Sequence, residues 1–168
     1  HRAEPPIIHR DLKPDNILVT EAGSLKLLDF DAAREYDEAQ SHDTVILGTK
    51  EYASPEQFGF TQTDVRSDIY SFGRILIFML TASHPFLFAE EGLSRILKRY
   101  GVSRSLRKMI EKCIDKEPGK RFRSGNELMD YINRKKGRRL RPGRNCFSRN
   151  YNRQILECEC SLFVSQGL

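Results

Sequence analysis

Four polar residues near the amino-terminal end have types and spacing that suit phosphate chemistry: Asp11, Lys13, Asn16 and Asp29. A carboxylate beside a lysine can accept a hydroxyl proton while the ammonium group holds a transferring phosphate. Carboxamide and carboxylate oxygens suit Mg²⁺, which also keeps waters and takes phosphate oxygens. Asp11 and Lys13 are predicted to lie on a loop that Pro14 keeps out of a helix. Together the four residues predict a phosphate-handling site with a metal.

A predicted β-hairpin positions the two metal-ligand candidates. Residues 16–20 and 25–29 have the apolar character of short strands, and the polar segment 21–24 between them is typical of a turn. If that turn has four residues, Asn16 stands opposite Asp29 at the open end of the hairpin. Directly opposed residues lie about 4.5–5.5 Å apart, so the carboxamide and the carboxylate are expected side by side.

The rest of the chain predicts helices. Residues 64–82 are too apolar for a surface helix and predict a buried one. Residues 106–114 have apolar side chains at the spacing of an amphipathic helix. A capping box opens a last helix over 124–136, whereas residues 31–63 show no sustained period. The expected fold class is therefore mainly α with a small β-hairpin.

Composition limits the class of protein. The chain has 168 residues, of which 39% are hydrophobic and 30% charged, which suits one globular domain and excludes a disordered chain. Its longest apolar run, 75–80, is far shorter than the ~20 residues of a membrane span, and no secretory signal is visible. Four cysteines without framework spacing indicate a reducing compartment, so we expect a cytoplasmic location, with the cytoplasmic part of a longer membrane-anchored protein as the alternative.

The net charge of +5 arises from one segment. Residues 134–153 hold nine basic residues and no acidic one, while the rest of the chain holds 19 basic and 23 acidic residues. The segment could contact nucleic acid or an anionic membrane. A solvated linker after the last helix is the simpler interpretation. We therefore predict a folded domain over 1–136 and a basic tail over 137–168.

Several segments resemble, in order, the signature motifs of eukaryotic-type (Hanks-type) protein kinases. Residues 8–18, Ile-His-Arg-Asp-Leu-Lys-Pro-Asp-Asn-Ile-Leu, resemble the catalytic loop, and Leu28-Asp-Phe-Asp31 resembles the metal-binding segment. Residues 48–56 resemble the end of the activation segment, with Ser before Pro-Glu where the family has Ala. Residues 64–73 and 120–122 resemble the central helix and a late arginine loop. The resemblance covers about residues 1–136.

The resemblance implies roles for the candidate residues. Asp11 would be the catalytic base and Lys13 the phosphate contact, while Asn16 and Asp29 would be the Mg²⁺ ligands. Leu18 would lie under the adenine of ATP. Lys13 and the pair Gly48-Thr49 resemble the serine/threonine branch, and Pro-Glu-Gln at 55–57 resembles bacterial members. ATP and Mg²⁺ are thus the implied cofactors, and proteins with Ser or Thr acceptors are the implied partners.

Other residues of these motifs are expected to be structural. His9 has a core-packing position in the family, and Arg10 is expected to pair with a phosphate on the activation segment. Glu56 and Arg121 are expected to form a partly buried ion pair. Asp68 is expected to accept hydrogen bonds from backbone N–H groups of the catalytic loop.

The sequence departs from the family in two ways. Asp31 replaces a Gly, and Asp adopts a left-handed backbone only at some cost. No Gly-rich loop, strand lysine or partner helix precedes the catalytic loop, and residue 1 is His instead of Met. We therefore expect the carboxy-terminal lobe of a longer kinase, with the amino-terminal lobe as its partner. The alternative is a non-catalytic, kinase-like interaction module.

Overall fold

Four helices and two small antiparallel strand pairs form the part of the chain that the structure describes. The computed structural model describes residues 1–37, 48–59, 62–83 and 92–136. The helices are α1 (Val65–Thr81), α2 (Leu93–Arg99), α3 (Arg104–Cys113) and α4 (Gly125–Lys136). The strands are β1 (Ile7–Ile8), β2 (Ile17–Val19), β3 (Leu25–Leu27) and β4 (Arg34–Glu35). This content agrees with the predicted fold class, and the predicted basic tail lies outside the described residues.

Helix α1 is the buried helix predicted over 64–82. Asp64 caps its amino-terminal end, where the side chain accepts a hydrogen bond from Arg66 N at 2.7 Å. Twelve of its 17 residues are buried. One side of α1 belongs to the main helical core, and Ile75 on another side packs with Leu12 and Tyr52 near the predicted catalytic loop. The helix therefore connects the core to the candidate site.

The main core lies between α1 and the later helices. Gly73 marks the closest approach of α1 to the end of α3, because a Cβ there would lie 2.6 Å from Ile114 Cγ2 and 2.7 Å from Cys113 Cβ. The largest apolar side chains that are almost fully buried in this core are Ile77, Leu97, Ile110 and Phe122. Burying such side chains is worth about 1.5–3 kcal/mol each. No described helix has the length and apolar character needed to span a membrane.

Helices α3 and α4 lie where the sequence predicts helices. The five apolar positions that define the amphipathic period are all buried: Leu106, Met109, Ile110, Cys113 and Ile114. At the start of α4, Ser124 Oγ accepts a hydrogen bond from Glu127 N at 3.2 Å. Glu127 Oε2 in turn accepts from Arg123 N at 2.7 Å, one residue earlier than in a standard capping box. Helix α2 was not predicted.

The β2–β3 hairpin is tighter than predicted. Thr20 N donates to Ser24 O and Gly23 N donates to Thr20 O, both at 2.8 Å, so the loop has three residues instead of four. Gly23 has φ +77°, a left-handed conformation that glycine adopts without strain and that commonly closes three-residue hairpins. The observed pairs are Ile17–Leu27, Leu18–Lys26 and Val19–Leu25.

The predicted pairing of Asn16 with Asp29 is therefore wrong. The shorter loop shifts the register by one residue, and Leu28 N donates to Asn16 O at 2.9 Å. In the observed register Leu28, and not Asp29, is the residue opposite Asn16, and Asp29 lies one residue beyond the pair.

Two short elements also differ from the prediction. Strand β1 pairs with β4. Neither strand was predicted, because two residues are too few to show the alternation of a strand. Asp11 and Lys13 lie on a loop, as expected, but Pro14–Asn16 directly after them forms a 3₁₀ helix that the sequence did not predict. Proline is well tolerated at the first helical position, because its missing N–H would have no partner there.

Candidate active site

Residues 9–13 form a loop whose backbone is hydrogen-bonded to a residue of α1, Asp68. Asp68 is buried, and its carboxylate accepts hydrogen bonds from His9 N at 2.8 Å and from Arg10 N at 2.9 Å. Its Oδ2 also lies 2.9 Å from His1 Nε2. Asp68 is thus a buried acceptor for the loop, as expected.

These contacts stabilise an unfavourable backbone conformation in the loop. Arg10 has φ +69°, a left-handed backbone that costs a non-glycine residue roughly 1–2 kcal/mol. Asp68 binds the N–H of this residue, and Gln57 Nε2 donates to its carbonyl oxygen at 2.6 Å. The backbone is fixed on both sides just before Asp11.

Asp11 stands at the centre of a hydrogen-bonded group. Lys13 Nζ donates to Asp11 Oδ2 at 2.8 Å. Thr49 donates to Oδ1 through both its backbone N and its Oγ1, each at 3.0 Å. Asn16 Nδ2 reaches Asp11 O at 2.9 Å and Oδ2 at 3.2 Å. The structure thus brings Asp11, Lys13 and Asn16 together, as the sequence predicted.

These contacts set the protonation states. Partial burial raises the pKa of Asp11, but the hydrogen bonds and charge of Lys13 and the hydrogen bonds of Thr49 lower it further, so the net pKa is below its ordinary value. The hydrogen bond to Asp11 raises the pKa of Lys13, with further contributions from the charges of Asp29 and Asp15. At neutral pH the site therefore holds an ionised carboxylate beside an ammonium group.

Asp29 lies exposed beyond the end of β3, within electrostatic reach of Lys13. Its φ is +58°, so Asp29 itself has the left-handed backbone. We expected that cost at Asp31, which is not among the described residues with positive φ. Instead, Asp31 N lies 3.4 Å from Asp29 Oδ1, a long hydrogen bond across the turn.

The donor set fits a hard cation. Asn16 uses its amide nitrogen to bind Asp11, which leaves the amide oxygen as the group that it can offer to a metal. Asp29 adds a carboxylate. Two such oxygens are few, but Mg²⁺ commonly binds one or two protein oxygens together with waters and phosphates.

The other predicted residues have distinct places. His9 is buried, with Nε2 3.1 Å from Leu28 O and its ring centroid 4.8 Å from that of Phe30. A packing position is therefore confirmed. Leu18 is 48% exposed on β2, on the same hairpin as Asn16, and its contact with adenine stays a prediction.

Glu56 and Arg121 form the expected ion pair. Arg121 Nη1 and Nη2 donate to Glu56 Oε1 and Oε2 at 2.6 and 2.8 Å. Both side chains are buried, and Ser67 Oγ also donates to Glu56 at 2.8 Å. The pair joins the segment that contains Glu56 to the segment between α3 and α4. The phosphate expected to pair with Arg10 would lie on the activation segment, of which residues 38–47 are outside the described residues.

The sequence interpretation did not assign a role at the site to two residues, Thr49 and Gln57. Thr49 was noted only as part of a motif, although it donates twice to Asp11. Gln57 is 2% exposed and connects Arg10 to Ser54, whose N and Oγ donate to Gln57 Oε1 at 3.0 and 3.1 Å. The only available signal for Gln57 was its position next to Pro-Glu.

Comparisons with known proteins agree with this geometry. The family model described as protein kinase domain matches residues 1–132. A Clostridium acetobutylicum protein named "Probable serine/threonine-protein kinase" is 36% identical over 75% of this chain and 21% of its own length. A Clostridium perfringens protein with the same kind of name is 36% identical over 73% of this chain and 20% of its own length. Serine/threonine-protein kinase PknB of Mycobacterium leprae is 32% identical over 73% of this chain and 22% of its own length.

The chain belongs to the protein kinase domain family, and its named relatives are bacterial serine/threonine-protein kinases. It spans about a fifth of the length of these curated relatives.

Proposed function

We propose that this chain provides the catalytic loop and metal-binding residues of an ATP-dependent protein serine/threonine kinase. The observation that carries the proposal is the group around Asp11, in which a lysine, an asparagine and a threonine all contact one ionised carboxylate. In a non-catalytic module the same contacts would serve only to hold the loop, so the transfer assay below decides between the two functions.

The residues have complementary roles in the proposed reaction. The substrate hydroxyl oxygen forms a bond to the γ-phosphorus of ATP, the bond from that phosphorus to the ADP oxygen breaks, and Asp11 accepts the hydroxyl proton. Lys13 stabilises negative charge on the transferring phosphoryl group. Thr49 and Lys13 fix the orientation of the Asp11 carboxylate before substrate binds, which supplies the positioning on which phosphoryl transfer depends.

Asn16 and Asp29 would hold Mg²⁺, which neutralises phosphate charge when bound. Leu18 would offer an apolar contact to the adenine. We also propose that a separate amino-terminal lobe covers the nucleotide, since the hairpin and the residues just after it expose apolar side chains: Leu18, Val19 and Phe30 are 48%, 55% and 53% exposed.

A transfer assay tests the proposal. The 168-residue chain, and the same chain fused to the amino-terminal lobe of a clostridial relative, would be incubated with labelled ATP, Mg²⁺ and a generic protein acceptor. We expect transfer only in the fusion, and we expect Asp11→Asn to abolish it. Asp15→Asn is the matched control, because Asp15 is an exposed carboxylate in the same loop region. Equal activity in the Asp11→Asn and Asp15→Asn fusions would contradict the proposed base.

A further inference from the structure

The solvent-facing sides of α2 and α3 carry a concentration of positive charge. Between residues 92 and 110 there are six basic residues and no acidic one. We name them the basic face: Arg95, Lys98, Arg99, Arg104, Arg107 and Lys108. Outside the run 134–153 the chain has more acidic than basic residues, 23 against 19, so the basic face is a local excess in an otherwise acidic domain.

On α2 the charges occupy one side of the helix. Arg95, Lys98 and Arg99 have the i, i+3, i+4 spacing of neighbours on a helical surface, and all three are exposed. Leu93 and Leu97 occupy the opposite side and are buried in the core. The charged side is therefore turned away from the protein.

Helix α3 repeats the arrangement. Arg104, Arg107 and Lys108 have the same spacing, and Leu106 and Ile110 are buried on the other side. Arg104 and Lys108 are exposed. Arg107 is half-buried and donates to the carbonyl oxygen of Val102 at 2.6 Å.

The two charged sides are close along the chain. Only four residues separate Arg99 at the end of α2 from Arg104 at the start of α3, so their Cα atoms are at most about 18 Å apart. Gly101 N donates to Lys98 O at 3.0 Å, which folds the connection back on α2. An extended segment of five to six residues can reach from one helix to the other.

The basic face differs from Lys13 and Arg121, which form ion pairs with Asp11 and Glu56. Within the described ranges, the five exposed members of the basic face form no ion pair with another described residue. Glu90 and Glu91 precede α2 and lie outside those ranges.

The charge of Arg104 also opposes the dipole of its own helix. The amino-terminal end of a helix is its positive end, where acidic residues stabilise it and basic residues do not. Helix α3 has no acidic residue in its first turn, and Arg104 is its first residue. Positions that break a local rule of stability are expected where a function needs them. Here that function would be the attraction of an anionic partner.

We propose that the basic face is a docking surface for an acidic segment of a protein substrate, an inference that rests on the proposed kinase function. Four of the six residues are arginines, whose planar guanidinium groups bind carboxylates in pairs of hydrogen bonds. A nucleic-acid surface would interleave aromatic side chains with the cations for base stacking. Between residues 92 and 110 the one aromatic residue, Tyr100, is partly buried and packs against the main core, so it is not free to stack on a base.

The test is a binding measurement on the full 168-residue chain without nucleotide. The probe is a fluorescent peptide that contains six glutamates, and the reference peptide has six glutamines at the same positions. The basic-face variant is Arg99→Glu, Arg104→Glu and Lys108→Glu together. Its control is Lys26→Glu, Lys50→Glu and Arg123→Glu, which makes the same charge change at three exposed positions elsewhere and leaves the basic tail intact.

We expect the basic-face variant to bind the glutamate peptide about tenfold more weakly, and the control variant to bind like the original chain. Binding should weaken with salt. The melting temperature of the basic-face variant should change little, because Arg104→Glu favours the start of α3 whereas Arg99→Glu disfavours the end of α2. If the variant does not fold, the double variant Arg99→Gln with Lys108→Gln replaces it, and we expect a smaller loss of affinity for the glutamate peptide.

Equal affinity of the two charge-reversed variants would overturn the proposal. So would equal binding of the glutamine peptide. Tighter binding of single-stranded RNA or of phosphatidylserine vesicles, lost in the basic-face variant, would also overturn it in favour of a different partner. Asp11→Asn should bind the peptide normally, so a failure of the proposed catalysis and a failure of the docking surface are distinguishable.

Discussion

Gln57 Nε2 donates a hydrogen bond of 2.6 Å to the carbonyl oxygen of Arg10, the residue before the proposed catalytic base. Arg10 has a left-handed backbone, and Asp68 binds its N–H group from the other side. Gln57 Oε1 meanwhile accepts two hydrogen bonds from Ser54. One buried amide therefore connects the end of the segment that contacts Asp11 to the loop that carries Asp11.

Replacing Gln57 with Met should destabilise the protein by about 1–3 kcal/mol. The volume is nearly conserved, so the loss comes from leaving the Arg10 carbonyl and the Ser54 groups without this partner in a buried place. Urea unfolding measures the change. Asn133→Ala, at an exposed position of α4, should shift the free energy of unfolding by less than about 0.5 kcal/mol. Equal stabilities of the two variants would contradict the role of Gln57.

Removing Arg121 should have a larger effect. In Arg121→Met, the buried Glu56 keeps the hydrogen bond from Ser67 but loses the two from Arg121 and its counter-charge, which costs about 3–5 kcal/mol. The double variant Glu56→Met with Arg121→Met should be less destabilised than the sum of the single changes, because no charge is then left unpaired. Lys120→Met, whose exposed side chain pairs with Glu117, is the control and should melt like the original chain. Additive single effects would argue against the pairing.

The residues that were predicted correctly are those that the sequence marks by regular apolar spacing or by a chemically reactive side chain in a motif. The apolar run of α1 and the spacing of Leu106, Met109 and Ile110 on α3 define buried faces directly. The hairpin register was missed because it depends on a one-residue difference in loop length, and Gly23 decides that through its φ of +77°. Strand β1 pairs across more than twenty residues of chain, and two residues are too few to show a period.

Acid should unfold the protein partly through Glu56. Burial raises the pKa of Glu56, but the hydrogen bonds and charge of Arg121 lower it further, so the net pKa lies below the ordinary 4.5. A carboxyl group with a lower pKa in the folded state stabilises the fold above its unfolded pKa, and this stabilisation is lost as the pH falls through the folded value. In Glu56→Gln the free energy of unfolding should therefore fall less steeply below about pH 4.5, as urea titrations from pH 3 to 7 would show. If the free energy of unfolding had the same pH dependence in Glu56→Gln as in the original chain, Glu56 would not contribute to acid unfolding.

Thr49 shows why part of the site could not be read from sequence. It stands 38 positions from Asp11, and no local spacing links the two. If its hydroxyl helps to hold Asp11 ionised, Thr49→Val should raise the pKa of Asp11, because burial then acts against fewer hydrogen bonds. Carboxyl ¹³C chemical shifts followed against pH measure this value. Thr49→Ser keeps the hydroxyl and should leave the pKa unchanged, whereas a rise in both variants would point to a change in packing instead.

The last prediction concerns which aspartate binds the metal. Asp29 and Asp31 are both exposed and stand two residues apart on one turn, so charge alone does not separate them. The left-handed backbone of Asp29, its reach to Lys13 and the neighbouring Asn16–Leu28 contact favour Asp29 as the ligand. Mn²⁺ substitutes for Mg²⁺ at oxygen sites and broadens nearby amide signals in NMR spectra. In the full chain we expect broadening around residues 16 and 29 that Asp29→Asn removes and Asp31→Asn, its matched control, retains. Broadening that survives Asp29→Asn but disappears in Asp31→Asn would assign the metal to Asp31, and the replacement of glycine at that position would then be part of the metal site.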